Sequence, residues 1–220
     1  MKQQVTEIQR DTLFVAHIGE EDMEYSYSVG KRANLIFIAL IDANKNITTH
    51  VDVRLVGEYA TATCIGIVKG GSDATIMMKT LQHHQAANTT SNLLVKAVLT
   101  DSATFQYGGS ILVDEGAQKT DAYQRNENLL LSSMSHATSE PALEIKANDV
   151  RCTHGATISS IGTEELYYMM SRGITEEASR EMIADGFLRS ALRLILDEKK
   201  RATIEKDIWT DTPLHYMKKS

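Results

Sequence analysis

The sequence predicts a mainly β protein with a small helical region at its C-terminal end. Two observations carry that prediction. From Met1 to about Ser160, apolar residues come in short runs that often alternate with polar ones, and turn signals rather than helices separate them. After Thr163 the apolar spacing becomes helical. The expected division is a β core over residues 1–160 and a helical region over residues 161–220.

The strand signals follow one another closely. In "HVDVRLV", Val51, Val53 and Leu55 alternate with Asp52 and Arg54, the period of a strand. "ATATCIGIV" places Ile65 and Ile67 on one face, and "NLLVKAVL" and "SILV" are short apolar runs. "ALEIK" pairs Leu143 with Ile145, and "DVRCTH" puts Val150, Cys152 and His154 on one face. Gly70-Gly71, Gly108-Gly109, "DEG" at 114–116 and "KAND" at 146–149 mark turns. A sandwich, a barrel and a β-helix all fit short strands of this kind. Two features favour the β-helix: small and polar residues recur within the strand region ("QAANTTSN", "SSMSHATS"), and Asn-Gly hairpin signals are missing. No fixed repeat length is visible.

In the second region, "TEELYYMMS" reads as a short helix closed by Gly173. Thr175 is expected to N-cap "EEASREMIAD", whose glutamates suit the positive helix start. Gly186 is expected to break or kink the next run, in which Phe187, Ala191, Leu194 and Ile195 form an apolar stripe. The charged run from Asp197 to Arg201 reads as solvated, and the end from Thr210 as frayed.

Composition narrows the function. The 220 residues are 42% hydrophobic, enough for one sizeable core, and the net charge of −6 argues against a general nucleic-acid binder. The longest apolar run, "ANLIFIALIDA", is too short to span a bilayer, and no signal-peptide pattern is seen. Two cysteines, Cys64 and Cys152, make no disulfide framework. The expectation is a soluble, cytoplasmic protein. Aromatic residues are only 6%, which disfavours a carbohydrate-acting β-helix enzyme with its aromatic platforms and clustered carboxylates.

Cys152 and His154 are the leading site candidates. Two apart on a strand, they share a face, with Cα atoms roughly 7 Å apart by strand rise. A thiolate and an imidazole supply two of the four ligands of a tetrahedral metal site. The simpler alternative is that both line the interior, as buried cysteines commonly do. His83-His84 reads as a surface loop, Cys64 as core, and "VKGGSDA" as a β-turn rather than a phosphate loop. Tyr167, Tyr168, Met169 and Met170 suit either a core or a partner-facing surface.

Four segments read together, "QRNENLLLS" (124–132), "EPALEIKANDVRCTHGAT" (140–157), "LYYMMSRGI" (166–174) and Ala184-Asp185-Gly186-Phe187, resemble the SufB/SufD family of iron–sulfur cluster assembly proteins. The likeness is strong from about Gln124 to Leu188 and looser from about Ile47 to Gly116. The resemblance implies a right-handed parallel β-helix followed by a small helical bundle. It also implies pairing of two such subunits, with itself or with a SufB-type subunit, and docking of a SufC-type ABC ATPase by the C-terminal helices. Tyr167, Tyr168, Arg172 and Phe187 would belong to that docking surface. An iron ion or nascent iron–sulfur cluster would be held transiently at the subunit interface, with sulfur from a separate donor.

The SufD branch is the nearer one. Its iron-handling cysteine and histidine fall on Cys152 and His154, and Glu144 and Asp149 flank them. The SufB cysteine positions fall at about Asn126 and Ser135, so this chain lacks those thiols. Family members usually carry an N-terminal helical region, whereas this chain begins almost at the β-helix. Minimal systems using one short protein as a homodimer belong to the same family. The expected role is a non-enzymatic assembly subunit, and the alternative is a structural subunit without metal chemistry.

Overall fold

A computed structural model describes residues 2–19 and 21–211. Two parallel sheets of six strands wind as a solenoid. One holds β1 (Lys2–Ile8), β3 (Met23–Val29), β5 (Ile47–Leu55), β7 (Thr75–His84), β9 (Thr104–Val113) and β11 (His136–Ile145). The other holds β2 (Thr12–Ile18), β4 (Asn34–Ala43), β6 (Thr61–Gly70), β8 (Thr90–Leu99), β10 (Thr120–Leu130) and β12 (Val150–Ser160). Successive strands alternate between the sheets, and each strand pairs with the one two places on. The β-helix expected from the sequence is therefore the fold.

Alternation puts one side of every strand inside. Tyr25, Tyr27 and Phe37 fill the interior near the start, with Phe37 5.1 and 5.2 Å from the two tyrosine ring centroids. Cys64, Val95, Phe105 and Tyr107 extend that core. Cys64 is buried as expected, and burial pushes its thiol up to about 12.

The turns lengthen along the chain. Lys2 stands against Met23, a step of 21 residues, whereas Thr104 stands against His136, a step of 32. Corners in the left-handed region at Arg32, Tyr59, Asn88 and Lys119 widen likewise. At one corner the coils nearly touch: a Cβ on Gly57 would lie 2.0 Å from the backbone nitrogen of Lys31. Gly57→Ala is expected to lower stability by about 2 kcal/mol through overpacking, read from the urea midpoint.

The helices are α1 (Thr163–Met170), α2 (Glu176–Arg189) and α3 (Glu198–Asp211), with a 3-10 turn at Ser190–Leu194 between the last two. Gly173 takes a φ of +83° after α1, and the Thr175 hydroxyl accepts from the Ala178 amide at 3.2 Å. Gly186 departs from expectation, since α2 runs through it without a break. The break comes at Ile195, in extended conformation, and the Asp197 carboxylate then accepts from the Lys200 amide at the start of α3. Thr210 and Asp211 still belong to α3, and the rest of the expected frayed end lies outside the described residues.

The helices cover one outer face. Ile36, Ile38, Ile65, Ile67, Val98 and Leu129 point outward and meet Leu188, Leu192, Ile195, Ile204 and Ile208. The continuous apolar run in β4 follows from this, because both of its faces are covered. Lys96 fixes the join: its ammonium donates to the Ser190 hydroxyl at 2.6 Å, pairs with Glu127 at 2.7 Å and lies 4.2 Å from the Phe187 ring centroid. No helix among the described residues is long and apolar enough to cross a membrane.

Candidate functional site

β11 and β12 are the edge strands of the last turn, so no further coil covers them. Parallel pairing sets Cys152 against Ala122 and His154 against Gln124. By the same alternation Val150, Cys152 and His154 share the inner face. Val150 and Cys152 pack on Ile111, Val113, Ala117, Ala122 and Ala147, while His154 is exposed at the open end. Both residues line the interior, and the interior is open where they stand.

Burial raises the Cys152 thiol above its ordinary value; a backbone hydrogen bond at Ala122 opposes this, and the Asp121 carboxylate adds to it. The free thiol is therefore protonated at neutral pH and would bind a metal only as the thiolate, its proton passing to a base or to water. Asp121 itself is held below the ordinary carboxylate range, first by its hydrogen bond from Arg151.

Below this pair the interior is polar. The Tyr107 and Thr80 hydroxyls lie 2.8 Å apart, and Gln82 donates to Ser91 at 2.6 Å. Gln124 is fully buried beneath His154, and Ser139 of β11 stands beside Tyr107 in register. Neither the Gln124 carboxamide nor the Ser139 hydroxyl has a hydrogen-bond partner. The polar run "QRNEN" inside a strand was the available signal for this floor, and alternation puts Gln124 on the inner face with Ala122. Exposed Leu143, Ile145 and Ile158 give the open end an apolar border.

The neighbouring candidates separate from the pair. Glu144 is on the opposite face of β11 from Leu143, exposed and ion-paired with Lys146 at 3.0 Å. Asp149 serves a turn, its amide donating to Gln118 at 3.0 Å. Asn126 and Asn128 are buried and bonded to each other, Asn126 also donating to the Val95 carbonyl at 3.2 Å. Ser135 is buried and donates to the Ser132 carbonyl. The expected surface loop at His83-His84 is instead the end of β7. His83 lies 3.1 Å from Asp114, and His84 is fully buried between the Thr89 and Ser91 hydroxyls.

As a metal site, Cys152 and His154 provide a soft thiol and an imidazole, a donor set that suits iron. Among the described residues, no group of three or more His, Cys, Asp or Glu side chains is gathered to hold a metal ion. The pair stands at the uncovered end of the solenoid with open access.

The helical candidates divide as well. Tyr167 and Tyr168 are 74% and 60% exposed, and the Arg172 guanidinium stacks over Tyr168 at 5.0 Å. Exposed Met170 and Met182 accompany them, and α1 buries no residue at all. Phe187 differs, since its ring is engaged within the chain beneath Lys96.

Residues 2–187 match the family described as "SUF system FeS cluster assembly, SufBD core domain". An iron–sulfur cluster assembly SufBD family protein of Synechocystis is 36% identical over 52% of this chain and 24% of its own length. The iron–sulfur cluster assembly protein SufD of Escherichia coli is 30% identical over 68% of this chain and 35% of its own. SufD of Bacillus subtilis is 31% identical over 56% of this chain and 28% of its own. The matched stretch spans about a quarter to a third of these relatives. With most of its length matched and the solenoid in place, the chain belongs to the SufB/SufD family of the SUF iron–sulfur cluster assembly system.

Proposed function

We propose that the protein is a non-enzymatic assembly subunit that holds iron or a nascent iron–sulfur cluster between two chains. The supporting observation is the placement of Cys152 and His154 on the inner face of an uncovered terminal turn, two donors with access for others. A second β-helix, of this chain or of a SufB-type subunit, supplies the remaining ligands by meeting that edge. The cluster is cargo, assembled there and passed on, with sulfur coming from a separate donor.

Exposed Tyr167, Tyr168 and Met170 on α1 provide the surface for a SufC-type ABC ATPase, with Arg172 beside them. A structural subunit without metal chemistry is the second reading. It is favoured by Asn126 and Ser135, which stand as hydrogen-bonded interior residues where SufB thiols would be.

Cys152→Ala combined with His154→Ala separates the two. The double variant is expected to lose at least tenfold in iron and sulfide retained after anaerobic assembly with the ATPase. Chain pairing and ATPase docking should persist on size-exclusion chromatography. Normal cluster delivery by that variant in cells would establish the structural reading instead.

A further inference from the structure

Gln124 is the described side chain whose amide nitrogen and oxygen are both buried without hydrogen-bond partners. It is fully buried and stands directly beneath His154 in the pairing of β10 with β12. Adjacent strands lie about 4.8 Å apart, within the reach of a glutamine side chain. Its space is made by Gly109 of the facing sheet. A Cβ there would come within 2.3 Å of the Gln124 Nε2 and 2.4 Å of the Tyr107 Oη. Tyr107 has a partner in Thr80, and the deeper Gln82 donates to Ser91 although its Oε1 is unpaired, so of the two glutamines Gln124 alone has no anchoring bond. Ser139 Oγ, also without a partner, comes from the opposite wall at the same end. A long carboxamide kept unpaired under two metal-ligand types, with the facing residue reduced to glycine, is an expensive arrangement for packing alone.

We infer that Gln124 is the inner positioning residue of the Cys152/His154 site, hydrogen-bonding the ligands that iron carries besides the thiolate and imidazole. This rests on the proposed function of that pair. Its carboxamide, which faces Gly109 across the interior, would turn toward His154 on metal binding, so that Oε1 accepts from a metal-bound water or Nε2 donates to a sulfide or thiolate. Partners of this kind orient a metal's ligands and typically change affinity by about 10- to 100-fold. Hydrolytic or redox chemistry is no part of the role; the carboxamide keeps its charge and its protons throughout.

Gln124→Met tests it, because methionine is close in volume and apolar. Anaerobic titration of the full chain with Fe(II) is expected to show affinity about 10- to 100-fold below the parent, with an unchanged or raised unfolding midpoint. With Co(II) as the probe, the ligand-field bands should shift while thiolate-to-cobalt charge transfer persists. Gln124→Asn, which keeps the carboxamide, should bind Fe(II) more tightly than Gln124→Met. Equal affinity and an identical Co(II) spectrum in Gln124→Met would overturn the inference, as would parallel losses of stability and affinity, the mark of a packing role. A Cys152→Ala/His154→Ala control that binds Fe(II) as the parent does would remove the site reading and this inference together. A Gln124 result matching the parent while that control fails to bind would remove the inference alone.

Discussion

Lys96→Ala is expected to loosen the helices from the solenoid and cost about 3 kcal/mol of stability. The Lys96 and Glu127 side chains are only 10% and 12% exposed and lie 2.7 Å apart. Removing the ammonium leaves the Glu127 carboxylate buried with Arg125 as its remaining cation, at 2.6 Å. It also strips the Ser190 hydroxyl of a donor and the Phe187 ring of its cation. A charge left behind in this way is worth more than the intact pair contributes, which is why one half is removed and not both. Lys96→Met with Glu127→Gln, neutral and similar in volume, should recover most of the loss. Amide exchange provides the local reading: protection should fall across α2 and the Ser190–Leu194 turn and persist in β4 and β6. Unchanged protection in the helices would mean that the apolar layer alone holds them.

Acid should destabilise the protein through His84. Burial lowers the folded pKa of this imidazole to about 4, with His83 adding to the effect and Asp121 opposing it. An unfolded histidine titrates near 6.5. Between those values the unfolded chain binds the extra proton, so stability falls as pH drops from about 6.5 to about 4. Below that window both states carry the proton, and this group adds no further loss. The full effect is on the order of 3 kcal/mol. His84→Asn removes the titration while keeping a polar group between Thr89 and Ser91. Urea unfolding from pH 7 to pH 4.5 should therefore show a steeper decline in the parent than in the variant. Parallel declines would assign the acid sensitivity to other groups.

Much of the β region was legible because inside and outside alternate cleanly where only one face is covered. Val51, Val53 and Leu55 are buried, and Arg54 is exposed. The solenoid's repeat was not legible, because the step drifts from 21 to 32 residues and holds at 29 only through the middle coils. His84 misled because the interior here carries hydroxyls and carboxamides, and polarity no longer marks the surface. Gly186 misled because its neighbours Ala184 and Leu188 pack so completely that local propensity is overridden. The face shared by Cys152 and His154 followed from their spacing alone. The open end and the glutamine beneath it required knowing which strand is last. The apolar stripe through Phe187 was legible, whereas the Lys96 ammonium over its ring, from 91 positions earlier in sequence, was not.

The lengthening coils also set how the chain finds its alignment. In a solenoid of identical repeats, slipping by one coil exchanges like for like and costs only the ends. Here the corners at Arg32, Tyr59, Asn88 and Lys119 advance by 27, 29 and 31 residues, so a slipped coil would lay a corner over a strand. Because each mismatch is two residues, inner and outer faces would be kept, but the corner residues of every slipped coil would lose their match. The graded lengths act as a vernier: one alignment brings every mark into coincidence, and each wrong one accumulates error with distance.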